Sequence, residues 1–62
     1  MKKTIGKRLF DARTNAGMTQ RELSEKSGYS INHISQIERD VYAPSSRALM
    51  AFERALQTKL VK

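Results

Sequence analysis

Residues 17–39 read GMTQRELSEKSGYSINHISQIER, and the interruption at Gly28 decides how the chain folds. Upstream of it, Thr19 and Glu22 form a Thr-x-x-Glu capping box, and Met18 and Leu23 hold the positions of a hydrophobic staple around that cap. A helix therefore starts at Thr19. Gly28 ends it, because glycine enters the left-handed conformation of a tight turn at little steric cost. Ser30 caps the next helix at once, with Tyr29 and Ile34 as a second staple pair. Two short, independently capped helices meet at one glycine.

The second of these helices, predicted over 30–39, has two unlike faces. At about 100° per residue from Ile34, the residues Ile37, Val41, Glu38 and Ile31 all fall within roughly 60° and face the core. Asn32 and Gln36 lie roughly opposite, at about 160° and 200°, with Arg39 at about 140°. Ser35 and His33 flank them. A merely solvated face would more often carry Lys and Glu; this one centres on two carboxamides and holds no carboxylate there. Carboxamides donate and accept together, and Asn or Gln pairs bidentately with the N6 and N7 edge of adenine. Arginine suits guanine or phosphate. Ile31 has two readings, completing the edge of the core or touching a thymine methyl, and His33 is either a phosphate or base contact or a plain exposed histidine. Glu38, on the core side, needs a partner there.

Working outward, Ile5, Leu9, Ala12 and Ala16 share one face of an earlier helix that ends at Asn15-Ala16-Gly17. Pro44-Ser45 opens a last helix with Leu49, Phe52 and Leu56 on one side, and the only proline lies just outside it. No stretch alternates like a strand, so the fold class is all-α. Phe10 sits about 140° from Ile5, off the apolar face. It fits either under the C-terminal tail at Leu60 and Val61 or against a second subunit, and Met50 and Tyr42 raise the second possibility more weakly.

Length and composition bound the function. Sixty-two residues make a single domain, 1–62, and one this small buries only about 60% of the surface its unfolded chain exposes. An enclosed catalytic site does not fit. With no cysteine, one histidine and no nucleophile–base pair, the expectation is no enzyme, no metal site and no cofactor. Twelve Lys and Arg against six Asp and Glu leave a net charge of +6, which favours a polyanionic partner or serves solubility alone. No apolar run approaches the roughly 20 residues of a membrane span. The opening MKKT is followed, after Ile5, by GKR rather than by an apolar leader, so a cytoplasmic protein with no membrane partner is expected.

These motifs together resemble the lambda repressor/Cro-like helix-turn-helix family, also called the xenobiotic-response-element type. The matches run from Ile5-Gly6-x-Arg8-Leu9 through Gly17-Met18-Thr19-Gln20-x-Glu22-Leu23 and Gly28-x-Ser30-x-x-x-Ile34-Ser35-x-Ile37-Glu38-Arg39 to Pro44-Ser45-x-x-x-Leu49. The resemblance implies a compact domain of four to five helices with a central helix-turn-helix at about 19–39. It implies base contacts from Ile31, Asn32 and Gln36, and phosphate contacts from Arg13, Thr19, Gln20, Ser30, His33 and Arg39. Arg13 and Glu38 match a family pair that links the first and third helices. The function it implies is a sequence-specific duplex-DNA-binding transcriptional regulator, of repressor type, that binds its operator as a homodimer. An antitoxin-like or other protein-binding module is the alternative. Asp40 stands where the family most often has Gly or Asn, Ser24 replaces a usual alanine, and Glu53 replaces a small apolar residue. The family's usual fifth helix has only QTKLVK to form from, which fits a short natural form or a trimmed domain.

Overall fold

The computed structural model describes residues 4–60. Each helix in it begins at a side-chain cap. Thr4 caps α1 (Ile5–Asn15), Thr19 caps α2 (Gln20–Ser27), Ser30 caps α3 (Ile31–Glu38) and Ser45 caps α4 (Ser46–Leu56); each hydroxyl accepts the N–H three residues on. At Thr19 the box is reciprocal, since its own N–H donates to Glu22 Oε1 at 2.8 Å. The predicted starts of α2, α3 and α4 are therefore found where the sequence places them.

The ends are equally local. Gly28 closes α2 at φ 82°. No heavy atom lies near the place a Cβ would take there, so the demand for glycine is backbone strain alone. Gly28→Val is thus expected to destabilise the protein by more than about 1 kcal/mol; an unchanged thermal melting temperature would show that the turn tolerates a branched residue. Asp40 follows α3 at φ 63°, with its N–H donating to the Ile37 carbonyl and the Val41 N–H to the Gln36 carbonyl. That is the Schellman pattern with aspartate in glycine's place, which aspartate tolerates better than most residues. It also corrects one expectation: the helix stops before Val41, so Val41 leaves the core arc and is 59% exposed.

The core is Leu9, Leu23, Ile34, Ile37, Ala48 and Phe52, fully buried, with Leu56 and Leu60 beside them. α1 crosses α3 closely at Gly6, where a Cβ would overlap the Ile37 carbonyl oxygen. Thr4 Oγ1 fastens the same crossing by donating to Asp40 Oδ2 at 3.0 Å. Among the described residues there are four helices and no strand. No fifth helix occurs among the described residues: α4 ends at Gln57, left-handed at φ 55°, and Glu53 Oε2 accepts the Leu60 N–H at 2.9 Å. Glu53, an outlier in the sequence pattern, thus ties down the segment that buries Leu60.

Of the two places open to Phe10, the tail is not the one found: its ring sits between Lys7 Nζ at 5.1 Å and Arg13 Cζ at 5.4 Å, on the side of α2 and α3, and is 39% exposed. Val61 lies outside the described residues.

Candidate nucleic-acid interface

The turn at Gly28 and the cap at Ser30 fix the direction of α3, and the burial of Ile34 and Ile37 fixes its rotation. Asn32 is then exposed and Gln36 half-buried on the outer side, with Arg39 exposed at the C-cap. The two carboxamides and the Arg39 guanidinium make no side-chain hydrogen bond to another described residue. Their donors and acceptors are available to a ligand. Ile31 is 38% exposed at the edge of this surface, so it neither completes the core nor stands fully clear of it.

Ser30 and Thr19 each spend their oxygen as an acceptor for a helix N–H. Their hydroxyl protons stay outside that bond, and both sit at helix N-termini, where backbone N–H groups and the helix dipole favour an anion. Gln20 is less free: its Nε2 donates to Glu38 Oε1 at 2.9 Å, leaving one of the two amide hydrogens.

Arg13 is deeper than the sequence indicates. It is 8% exposed. Its Nε donates to Glu38 Oε2 at 2.7 Å, its NH2 nitrogen to Glu38 Oε1 at 3.1 Å, and its NH1 nitrogen to the Met18 carbonyl at 2.8 Å. One side chain thereby joins α1, the loop before α2 and α3. Anything Arg13 offers a phosphate passes through the guanidinium hydrogens left over. Glu38 receives Arg13 and Gln20 together, so its charge is neutralised inside the protein.

His33 is half-buried and stacks on Tyr29, with ring centres 5.5 Å apart and planes 23° apart. Tyr29 in turn meets Phe52 at 5.4 Å, and Tyr42 approaches His33 at 6.0 Å. This aromatic column, running from the core to the surface, was missed in the sequence reading. The i,i+4 spacing of Tyr29 and His33 was its one available signal. The same reading also missed the approach of Lys7 and Phe10 to Ser35 and Arg39, which only the α1–α3 crossing produces.

Among the described residues no group of His, Cys, Asp and Glu is placed to hold a metal ion. No helix there is long and apolar enough to cross a membrane.

Comparison with known proteins bears on this surface. A helix-turn-helix family model matches residues 9–62. The chain is 44% identical over 57 residues to an uncharacterised HTH-type transcriptional regulator, y4dL, of Sinorhizobium fredii, covering 92% of this chain and 29% of that one. It is 38% identical over 60 residues to the transcriptional regulator ClgR of Mycobacterium tuberculosis (97% and 54%), and 40% identical over 53 residues to the immunity repressor of Bacillus phage phi105 (86% and 37%). The chain spans about half or less of the length of these relatives. Its fold is similar to that of the biofilm master regulator SinR in complex with DNA, at TM-score 0.86 and 31% identity, covering 92% of each chain. It is similar to the P22 c2 repressor with a synthetic operator, at TM-score 0.86 and 30% identity, covering 95% of this chain and 89% of that one. By its caps, its four-helix core and these matches, the chain belongs to the helix-turn-helix family of the Cro/C1, lambda repressor-like type.

Proposed function

We propose that this chain is the DNA-binding domain of a cytoplasmic transcriptional regulator of repressor type, which lays α3 in the major groove and reads bases with Asn32 and Gln36. One observation carries the reading: the outer face of α3 holds two carboxamides without hydrogen bonds to described residues, flanked by Arg39 and bordered by Ile31. Such a face matches base edges, which offer paired donors and acceptors, better than it matches bulk solvent. Ile31 borders it as a contact for a thymine methyl. Ser30, Thr19, Gln20, His33 and Arg39 hold phosphates on either side, and Arg13 assists from beneath through its pair with Glu38. Two similar structures, SinR and the P22 c2 repressor, are complexes with DNA, which supports duplex DNA as the ligand.

One copy reads few base pairs. Its principal extents of 31 × 21 × 20 Å compare with about 34 Å between half-sites one helical turn apart, so a full operator takes two copies. We infer that the free chain associates weakly and pairs on DNA, since the exposed apolar residues Phe10, Val41, Tyr42 and Met50 form no continuous helix face. Selection from randomised duplex DNA, followed by footprinting, tests both points. The expected product is an inverted repeat with half-sites one turn apart. Recovery of sequences with no consensus contradicts base reading, and a single unrepeated half-site contradicts the dimer.

A further inference from the structure

A cleft of about 350 Å3 opens beside the α3 face, lined by Lys7, Phe10, Gln20, Ser35, Glu38 and Arg39. Lys7 and Arg39 are the two cations of this lining. We propose that this cleft is a phosphate-binding point in which Lys7 of α1 and Arg39 of the α3 C-cap hold one backbone phosphate of the duplex between them, beside the Gln20 amide and the Ser35 hydroxyl. The proposal rests on the DNA-binding function argued above.

The chemistry of the lining selects the ligand. Glu38 is its only carboxylate, and both its oxygens are already occupied by Arg13 and Gln20. What faces the opening is therefore an ammonium, a guanidinium, one amide N–H and a hydroxyl. That set is rich in donors and net positive, and it matches an ionised phosphodiester, which only accepts hydrogen bonds. Lys7 is exposed, and its one ion pair, with Asp11 at 3.7 Å, is a surface pair of the kind worth little in water. Exchange of Asp11 for a phosphate is thus inexpensive. The Phe10 ring under the Lys7 ammonium narrows the positions that side chain explores, which reduces the ordering lost on binding. It also explains why an aromatic residue stands off the apolar face of α1. Ser35 and Arg39 lie on the flank of the α3 face that carries Asn32 and Gln36, so a duplex engaged there has a strand within reach of the cleft.

Lys7→Gln in the full chain is the test, with Lys59→Gln as a charge-matched control, because Lys59 is exposed beyond the C-terminal end of α4. Affinity for the selected duplex and for random duplex is measured over a range of salt concentrations. A lost phosphate contact lowers the log–log salt slope by about 0.9, equivalent to about eightfold weaker binding at 0.1 M salt when affinities converge near 1 M. Lys7→Gln is expected to show that change on both duplexes, Lys59→Gln to keep the wild-type slope, and Lys7→Arg to restore it. A wild-type slope for Lys7→Gln overturns the cleft while leaving the function intact, and so does an equal change in Lys59→Gln, which makes the effect one of net charge. If the wild-type chain binds neither duplex, the function itself is wrong.

Discussion

Glu38→Ala is expected to lower stability by about 3–5 kcal/mol, the usual loss when one partner of a buried ion pair is removed. A chain of 62 residues has a total stability of about 3–9 kcal/mol at ordinary values per residue, so this variant loses from about a third to all of it. The cause is specific. The side chains of Arg13 and Glu38 are only 10% and 4% exposed, and without Glu38 the Arg13 guanidinium keeps a single hydrogen-bond acceptor, the Met18 carbonyl, beside its contact with the Phe10 ring. Gln20 loses its acceptor as well. The double variant Arg13→Met/Glu38→Leu separates the cost of an orphaned charge from the value of the pair, because apolar replacement of both partners is often neutral or stabilising. Urea unfolding of the three proteins measures this. A loss below about 1 kcal/mol for Glu38→Ala would mean that water replaces the carboxylate and that the pair does not hold α1 to α3.

Gly6→Val is expected to cost about 3 kcal/mol, the upper end of the range for overpacking a close contact. Gly6 lies inside α1, where replacing glycine ordinarily gains up to about 1 kcal/mol of helix propensity. Here the new Cβ meets the Ile37 carbonyl oxygen, which is backbone and cannot swing aside, and the Asp40 carboxylate, which is held by Thr4. α1 can accommodate it only by withdrawing from α3, which loosens the Thr4–Asp40 bond and the Arg13–Glu38 pair together. The measurement is again the denaturation midpoint. A Gly6→Val protein as stable as the wild type would show that the helices separate without penalty.

The pattern of what the sequence revealed follows from the range of the interactions. Thr19, Gly28, Ser30 and Ser45 act on residues within a turn of themselves, and all four are legible because caps and left-handed turns are local. The core residues Leu9, Ile34, Ile37, Phe52 and Leu56 are legible because helical period selects a face, and Leu23 because it pairs with Met18 as a staple around the Thr19 cap. Val41 was misplaced because the same period was continued past Asp40, where the backbone is no longer helical. Phe10 meets Lys7 and Arg13 three residues away on either side within α1, so that contact was open to helical spacing. Glu53 is different: its partner, the Leu60 N–H, is decided by how separate segments come together. The same holds at the candidate site. The outward position of Asn32 and Gln36 follows from one helix, but the depth of Arg13 and the bond from Gln20 to Glu38 need three. Gly6 is visible in the sequence only as a motif letter; the reason for it is a crossing of α1 over α3.

The central claim is that α3 reads bases, and competition binding of Gln36→Ala against the selected and random duplexes tests it most directly. A bidentate carboxamide–base pair is worth about 1–3 kcal/mol of discrimination. Gln36→Ala should therefore weaken binding to the selected duplex by about tenfold or more, leave random duplex nearly unaffected, and relax preference at one or two base pairs. Gln20→Ala, in the same assay, should weaken both duplexes alike, because phosphates carry no direct sequence information. Equal losses on both duplexes for Gln36→Ala would contradict the account and leave only the general attraction of a basic protein to DNA.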